Sequence, residues 1–266
     1  KPVRRATQRK AKKKPQRQMP SWLRYVIAGI IAFLFLAAFF YFFIRPYSYR
    51  WKPCYGFKAY GVCMPSGFHV HGIDVSHYQG NIDWKMLTQT RQGKFPIHFV
   101  FMKASEGGDY GDKAFITNFD SAKTHGFIRG AYHFYNPKTD PVRQADFFIN
   151  SVKLDSGDLP PVLDIEKRGK DENQLRRDLK LWLDKIEQHY KVKPILYTSY
   201  KFKTRYLNDS VFNSYPYWIA HYYVYRGEWK FWQHTDVGTL PGIREKVDLN
   251  IFNGSLEELQ LMTIKK

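Results

Sequence analysis

The sequence predicts an α/β fold, an irregular TIM-like β/α barrel that follows one transmembrane helix. From Gly72 onward, strand-like and helix-like segments alternate through five βα units, and three further strand-like segments follow with little room for helices between them. Such alternation is typical of a mostly parallel sheet, and eight strands are enough to close it into a barrel. Before this region, the twenty uncharged residues from Tyr25 to Ile44 are long enough to cross the apolar part of a bilayer.

Positive charge is concentrated in the N-terminal third of the chain. The 266 residues carry a formal net charge of +18, yet residues 1–73 hold 14 Lys and Arg and no Asp or Glu. The rest of the chain carries 28 basic and 24 acidic side chains, a net charge of only +4. The total charge is therefore a poor argument for nucleic-acid binding, and no nucleic-acid partner is expected.

The N-terminal segments predict a single-pass protein of the cytoplasmic (inner) membrane. Residues 1–22 form a basic tail whose composition is typical of disorder. Residues 23–44 are interpreted as a retained signal anchor, because the apolar run is longer than that of a signal peptide and no convincing cleavage site follows. Ten basic residues precede the run and three follow closely, so the tail is expected in the cytoplasm and the C-terminal domain outside it. A cleaved signal peptide is the alternative.

Residues 45–70 are interpreted as a linker, and they contain both cysteines of the chain. In an exported segment, Cys54 and Cys63 are most simply explained by a disulfide that closes a small loop. His69 and His71 lie nearby in the sequence, but a metal site would need more ligands. No metal and no cofactor are expected, and the folded domain is predicted to occupy residues 71–266.

The elements of that domain follow from apolar runs, apolar spacing and caps. The helix 172–190 has the clearest apolar face, and the segment 255–262 opens with the capping sequence Ser-Leu-Glu-Glu. The other predicted helices are 83–92, 114–125 and 140–152. The predicted strands are 71–77, 96–105, 127–135, 160–166, 193–200, 216–222, 228–235 and 245–252.

Four acidic residues lie in these strands, mostly at the strand ends where function collects in such barrels. Asp74 ends the first strand, Asp164 and Glu166 end the fourth, and Asp248 lies in the last. Alternation along a strand places Asp164 and Glu166 on one side, with Cα atoms about 6.5–7 Å apart. Two close carboxyl groups push their pKa values apart, which suits an acid and a charged partner. Taken alone, such a pair is more often a strand end that leaves two acids in water.

Seven segments, in matching order and spacing, resemble the lysozymes of glycoside hydrolase family 25, the Chalaropsis-type muramidases. The resemblance covers His71 to Met262 and implies a barrel of five βα units with three extra strands. It also implies hydrolysis of the β-1,4 bond between N-acetylmuramic acid and N-acetylglucosamine in peptidoglycan. The segments are GIDVSHYQGNIDW, FVFMKASEGGDYGDKAF, NFDSAKTHGFIRGAYHFYNP, PPVLDIE, PILYTSY, YWIAHY and WQHTDVGTLPGIREKVDLNIFNGS.

The resemblance places the catalytic pair at Asp164 and Glu166, with Asp74 and Asp248 lining the same groove. Glu166 is expected to be the general acid. Asp164 either attacks the anomeric carbon or orients the 2-acetamido group of the substrate, which then attacks, and retention is expected in both cases. Asp74 and Asp248 are expected to hold the pair by hydrogen bonds and to tune its charge.

Six further side chains are predicted to bind the glycan. The resemblance places tyrosines beside the reacting sugar, and Trp rings suit stacking on sugar faces, although packing in the core is the alternative for each aromatic residue. The chain departs from many relatives at Tyr78, where they have Trp, and at His221, to which no role is assigned. The predicted residues are Tyr132, Tyr197, Trp218, Trp232, Gln79 and Gln233.

Two other functions stay open at the level of sequence. One is a non-catalytic cell-wall protein that binds glycan strands in the same groove. The other is a glycosidase that acts on a different N-acetylated glycan. The presence of all four acids favours an enzyme over the binding protein.

Overall fold

The computed structural model describes residues 19–45, 48, 54–223 and 227–265, and the chain divides into two compact units, residues 1–52 and 53–266. The predicted basic tail lies almost wholly outside the described residues. In the first unit, helix α1 (Ser21–Phe39) continues as a π-helical turn, Phe40–Ile44. The 24 residues Ser21–Ile44 are long and apolar enough to cross a membrane by length and composition. Their retention and their orientation in a membrane stay predictions.

The second unit contains the predicted closed barrel. A short hairpin, β1 (Lys58–Ala59) and β2 (Val62–Cys63), precedes it. The barrel order is β3-β11-β10-β9-β8-β7-β6-β4, and pairing of β3 with β4 closes the ring. All barrel pairs are parallel except those of β11, which is antiparallel to both neighbours. The strands are β3 (Val70–Val75), β4 (Ile97–Glu106), β5 (Tyr110–Gly111, paired only with β4), β6 (Ile128–Phe134), β7 (Val162–Asp164), β8 (Ile195–Ser199), β9 (Tyr217–Ala220), β10 (Phe231–Gly238) and β11 (Val247–Phe252).

The helices follow the predicted order, and several begin at a capping side chain. Asp140, Asp171 and Ser255 each accept a hydrogen bond from a backbone N–H of the first turn. Helix α6 supplies the fifth βα unit. The helices are α2 (Trp84–Leu87), α3 (Phe115–Thr124), α4 (Pro141–Ser151), α5 (Glu172–Tyr190), α6 (Tyr200–Tyr206) and α7 (Leu256–Met262).

The predicted helix 83–92 is wrong in its second half. Only Trp84–Leu87 is α-helical, and Thr88–Gln92 forms a 3₁₀-helix. The hydroxyl groups of Thr88 and Thr90 donate to carbonyl oxygens three residues earlier, at 2.7 and 2.8 Å. These bonds and the β-branched side chains favour the tighter turn over a regular α-helix.

Alternation along the strands separates two cores. Outward residues such as Ile73 and Leu163 pack under the helices, whereas inward residues such as Phe101 and Phe231 fill the barrel. Gly72 and Gly130 make room for this filling, since a Cβ at either position would lie 2.4–2.5 Å from a phenylalanine ring. The inward rings of Phe99, Phe101 and Phe231, here called the aromatic plug, fill the lower barrel.

The segment predicted to be a linker packs against the barrel over its described part. Cys54 and Cys63 are joined by a disulfide with Cα atoms 5.3 Å apart. The Tyr60 hydroxyl donates to the Phe95 carbonyl oxygen at 2.6 Å, and Phe68 packs on Trp229 with ring centroids 5.5 Å apart. Residues 54–70 therefore cover a part of the barrel wall and belong to the folded unit.

Replacing Cys54 and Cys63 with Ser together is expected to lower the free energy of unfolding by about 2–3 kcal/mol. The chain-entropy effect of closing a loop of roughly ten residues has this size. The measurement is the thermal midpoint of the full chain in detergent, with the wild type under reducing conditions as the matched comparison. An unchanged midpoint in both samples would contradict a stabilising role for this bond.

Candidate active site

A cavity of about 280 Å³ opens at the C-terminal strand ends, and every barrel strand contributes an inward side chain to it. This follows from the two-residue repeat, because inward positions of the parallel strands lie above the aromatic plug, and the antiparallel β11 contributes Asp248 from near its N-terminal end. The barrel residues that line the cavity are Asp74, Lys103, Tyr132, Phe134, Asp164, Tyr197, Trp218, Gln233 and Asp248. Val75 at the end of β3 also lines it, and the segments after the strands complete the lining with Ser76, Tyr78, Gln79, Glu166 and Tyr222.

Asp74 and Asp248 form a carboxyl pair on one wall of the cavity. They are direct partners in the antiparallel pairing of β11 with β3. Burial raises the pKa of Asp248, and the neighbouring charge of Asp74 raises it further. Burial also raises the pKa of Asp74, although Asn250 and Gln233 oppose this by donating to its Oδ2 at 2.7 and 3.0 Å. The pair therefore shares a proton, with Asp248 as the donor.

Asp164 and Glu166 line the same cavity from the end of β7. In the barrel order, β7 lies three strands from β3 and four from β11, so this pair faces the wall that contains Asp74 and Asp248. Ile165 between them is fully buried, and its N–H donates to the Tyr197 carbonyl oxygen at 2.9 Å, so the strand pattern continues past Asp164. Asp164 is only 6% exposed, and its Oδ1 is buried without a hydrogen-bond partner among the described residues. Burial raises the pKa of Asp164, and the charges of Glu166 and Asp74 add to the effect.

Glu166 has an exposed side chain, but the concave cavity surrounds it with protein atoms. This enclosure raises the pKa of Glu166, while the positive charges of Lys167 and Lys103 lower it. The two carboxyl groups therefore differ in access to solvent, with Glu166 at the opening and Asp164 below it. A carboxyl group that has a raised pKa and faces the opening is suited to proton donation.

Lys103 is a cavity residue that the sequence prediction missed. It is buried at the inward position two residues after Phe101, and its Nζ lies 2.6 Å from Glu106 Oε2. Its ammonium group also lies 4.8 Å from the centroid of the Phe134 ring. Strand alternation alone would have placed Lys103 inward. The lysine gives the acidic cavity one buried positive charge.

Gln233 joins the predicted tyrosines to the carboxyl pair. Its Oε1 accepts hydrogen bonds from the hydroxyl groups of Tyr197 and Tyr222 at 3.0 and 3.1 Å, while its amide nitrogen donates to Asp74. Tyr132 lines the same space. Burial raises the pKa of both Tyr132 and Tyr197 well above 10, so each hydroxyl keeps its proton and stays a hydrogen-bond donor.

The two predicted tryptophans occupy different places. Trp218 lines the cavity but is 1% exposed, stacks on Phe101 at 4.5 Å, and donates to Asn250 Oδ1 at 2.7 Å. It is therefore part of the cavity floor. Trp232 faces outward, where its ring packs near Phe68 and its Nε1 donates to the His221 carbonyl oxygen. Trp232 does not line the cavity, which is a correction to its predicted role in sugar stacking.

The rim of the cavity contains Gln79 and Tyr78. Gln79 accepts from the Ser76 backbone N–H at 2.8 Å and donates to the Lys246 carbonyl oxygen at 3.0 Å, so both ends of its amide are held. Tyr78 is 73% exposed and offers an open ring face at the cavity. Tyr78 is therefore accessible from the cavity, whereas Trp232 is not among the residues that line it.

Among residues 19–45, 48, 54–223 and 227–265, no three His, Cys, Asp or Glu side chains lie close enough to hold a metal ion. His133 lies behind the cavity, where Ser105 and Gln144 bond its two ring nitrogens at 2.8 and 3.1 Å. Burial lowers the pKa of His133 to about 4. This histidine is neutral and structural, and it takes no part in the cavity.

A sequence profile of the glycosyl hydrolases family 25 matches residues 73–243. The chain belongs to this family. Lysozyme M1 of Streptomyces globisporus is 34% identical over 71% of this chain and 70% of its own length. An uncharacterized protein, YegX of Escherichia coli K12, is 39% identical over 80% of this chain and 79% of its own length. A family 25 glycosyl hydrolase from Bacillus anthracis has a similar structure, with a TM-score of 0.69, 30% identity, and coverage of 75% and 96%.

As a family 25 member, the chain is a glycoside hydrolase, and its barrel is the family fold. The profile spans most of the second compact unit and includes Asp74, Asp164 and Glu166, while Asp248 lies beyond its last residue. The cavity is therefore the candidate active site of the enzyme.

Replacing Asp248 with Asn is expected to flatten the pH dependence of stability. A carboxyl group with a raised native pKa binds more protons in the native state than in the unfolded state, so stability falls as pH rises from about 4 through the native pKa. Asn keeps a hydrogen-bond donor for Asp74 but cannot ionise. The slope of unfolding free energy against pH should become less negative by up to about 1.4 kcal/mol per pH unit. Urea unfolding between pH 5 and pH 8 measures this slope for the wild type and for Asp248→Asn. Equal slopes in the two proteins would contradict the shared proton.

Proposed function

We propose that this enzyme hydrolyses peptidoglycan at the β-1,4 bond between N-acetylmuramic acid and N-acetylglucosamine, with retention. The observation that carries the proposal is the convergence of Asp74, Asp164, Glu166 and Asp248 around one cavity. The similarity to a protein named lysozyme, across most of both chains, supports the same substrate.

Glu166 acts as the general acid. Its raised pKa favours the protonated form of the carboxyl group at the cavity opening, where the oxygen of the leaving sugar arrives. Bond cleavage generates positive charge on the anomeric carbon, and the acids of the cavity stabilise it. After the leaving sugar departs, the Glu166 carboxylate removes a proton from the incoming water.

Asp164 orients the 2-acetamido group of the muramic acid residue, whose carbonyl oxygen then attacks the anomeric carbon. The unpartnered Oδ1 supports this role, because it can accept the acetamido N–H when a sugar fills the cavity. Substrate assistance of this kind is a recognised variant of the two-carboxylate mechanism. Direct attack by Asp164 is the second route, and both routes retain the configuration.

Asp74, Asp248 and Gln233 hold the reacting groups in place. The hydrogen bonds among these three side chains fix one wall of the cavity. The proton that Asp74 and Asp248 share limits the negative charge around Asp164. Tyr132 and Tyr197 add hydroxyl groups that can donate to the sugar, and Tyr78 offers a face for stacking.

The enzyme acts from the membrane on the outer side. The apolar helix Ser21–Ile44 anchors the chain, and the basic residues before it keep the N-terminus in the cytoplasm. The disulfide between Cys54 and Cys63 fits an oxidising compartment, where the cell wall also lies.

Digestion of purified peptidoglycan followed by mass spectrometry tests the function. The expected products carry muramic acid at the reducing end, and borohydride reduction marks that sugar. Products with glucosamine at the reducing end would contradict the assigned bond. Wall binding without any product would favour the non-catalytic protein, and cleavage of chitin oligosaccharides alone would favour another N-acetylated glycan.

A further inference from the structure

A second pocket lies beside the catalytic cavity, and cationic side chains line it. It measures about 730 Å³ and is formed by the loop after β6, the loop after β7 and the start of α5. Lys138 comes from the first loop, and Arg168 and Lys170 come from the second. All three side chains are exposed, so a ligand can reach them. We name it the basic pocket.

The basic pocket begins close to the catalytic cavity. Arg168 follows Glu166 by two residues, and Pro137 of the pocket wall follows Phe134 of the cavity wall by three. Extended chain covers at most roughly 3.3–3.6 Å per residue, so the Cα atoms of these lining residues lie no more than about 7 and 11 Å apart. Lys167 lies at the junction, with its Nζ 4.6 Å from the centroid of the Phe134 ring.

Two acids also line the basic pocket beside its three cationic side chains, and one oxygen of each accepts a hydrogen bond from Gln174. Asp171 caps the helix by accepting the backbone N–H of Gln174, and Asp178 Oδ1 accepts from the side-chain amide of Gln174 at 2.6 Å. The pocket also has an apolar part, made by Leu175 and Pro137. A ligand that carries carboxylates on an aliphatic backbone matches this combination of cationic and apolar groups.

We propose that the basic pocket binds the carboxylates of the peptide stem that muramic acid carries. The inference rests on the proposed function, since it requires a muramic acid residue in the catalytic cavity. The stem is attached through the lactyl group of this sugar and carries free carboxylates, whereas N-acetylglucosamine has no such substituent. Binding of the stem beside Glu166 selects which of the two sugars enters the cavity, and therefore which glycosidic bond is cleaved.

The test compares two substrates and two double variants of the full chain. One substrate is glycan strands that carry peptide stems, and the other is the same strands after an amidase has removed the stems. Arg168→Ala/Lys170→Ala removes two charges from the basic pocket. Lys153→Ala/Lys265→Ala is the matched control, because these exposed lysines lie next to the N-terminal end of β7, at the opposite end of the barrel.

The expected result is a change in the ratio of kcat/KM for stem-bearing strands to that for stripped strands. The pocket variant should lower this ratio about three- to tenfold, which is the size expected for losing two exposed ion pairs. The control should keep the wild-type ratio. Free stem peptide should also inhibit the pocket variant three- to tenfold more weakly than the wild type, and salt should weaken the wild-type effect.

The outcomes separate this inference from the proposed function. An unchanged ratio and unchanged inhibition in the pocket variant would overturn the stem-binding role. Equal losses on both substrates would also overturn it, since stripped strands keep the lactyl carboxylate but lack the peptide. Failure of the wild type to cleave either substrate would instead refute the proposed function.

Discussion

Replacing Glu166 with Gln is expected to lower kcat by about 10²–10⁴-fold, the usual contribution of a general acid. Gln has nearly the same shape, but it cannot give a proton to the leaving oxygen. The side chain is exposed at the cavity opening, so the substitution removes the proton donor without disturbing the packing of the core. The measurement is the release of reducing ends from solubilised peptidoglycan by the full chain.

The pH profile gives this prediction a second readout. Wild-type kcat should fall at high pH as Glu166 loses its proton, and the raised pKa moves that fall upward from the ordinary glutamate range. The residual activity of Glu166→Gln should lack this alkaline limb. Sedimentation with insoluble peptidoglycan should show that binding is retained.

Glu172→Gln is the matched control for this experiment. Glu172 is exposed in the first turn of α5 and does not line the catalytic cavity, so its variant should keep activity within about twofold. Wild-type activity in Glu166→Gln would show that another group supplies the proton. If the control also lacks the fall of kcat at high pH, that fall does not report the ionisation of Glu166.

Replacing Asp164 with Asn is expected to lower kcat by about 10²–10³-fold, comparable to the loss of one electrostatic contact to a transition state. Asp164 is buried, and its Oδ1 is available to a ligand in the cavity. Asn fills the same volume and can still accept the acetamido N–H. It cannot ionise, so it cannot supply negative charge beside the positive charge that develops on the reacting sugar.

A substrate without the acetamido carbonyl distinguishes the two roles of Asp164. If the acetamido group attacks, wild-type turnover of this substrate should fall by a similar factor, and Asp164→Asn should add little further loss. If Asp164 attacks, turnover should persist and a covalent adduct on Asp164 should appear by mass spectrometry. Undiminished turnover would therefore refute the assisted mechanism. Asp146→Asn, on the exposed face of α4, serves as the control.

Much of the barrel could be predicted from local patterns. The strands around Asp74, Asp164 and Asp248 all form near the expected positions, and α5 begins and ends where its apolar face and cap predict. These features depend on residues near each other in the chain, so periodicity and capping are sufficient to find them. The 3₁₀ turn after α2 depends on side-chain hydrogen bonds, which periodicity does not describe.

The strand β10 shows where the prediction of the site failed. Trp232 and Gln233 were both expected to bind substrate, yet adjacent residues of a strand face opposite sides of the sheet. Gln233 faces the cavity and Trp232 packs on the outer wall near Phe68. The alternation rule that was used for Asp164 and Glu166 would have excluded one of them, and it would also have identified Lys103.

By itself, the sequence determined the order of the elements, the side of each strand that an acid occupies, and the apolar helix at the N-terminus. Only the tertiary structure decided which acids meet. Asn250 and Asp74 are 176 residues apart, and they touch because β11 pairs with β3 in the closed barrel. Burial in the closed barrel then makes Asp74 and Asp248 share a proton, an effect of low dielectric surroundings that no local pattern contains.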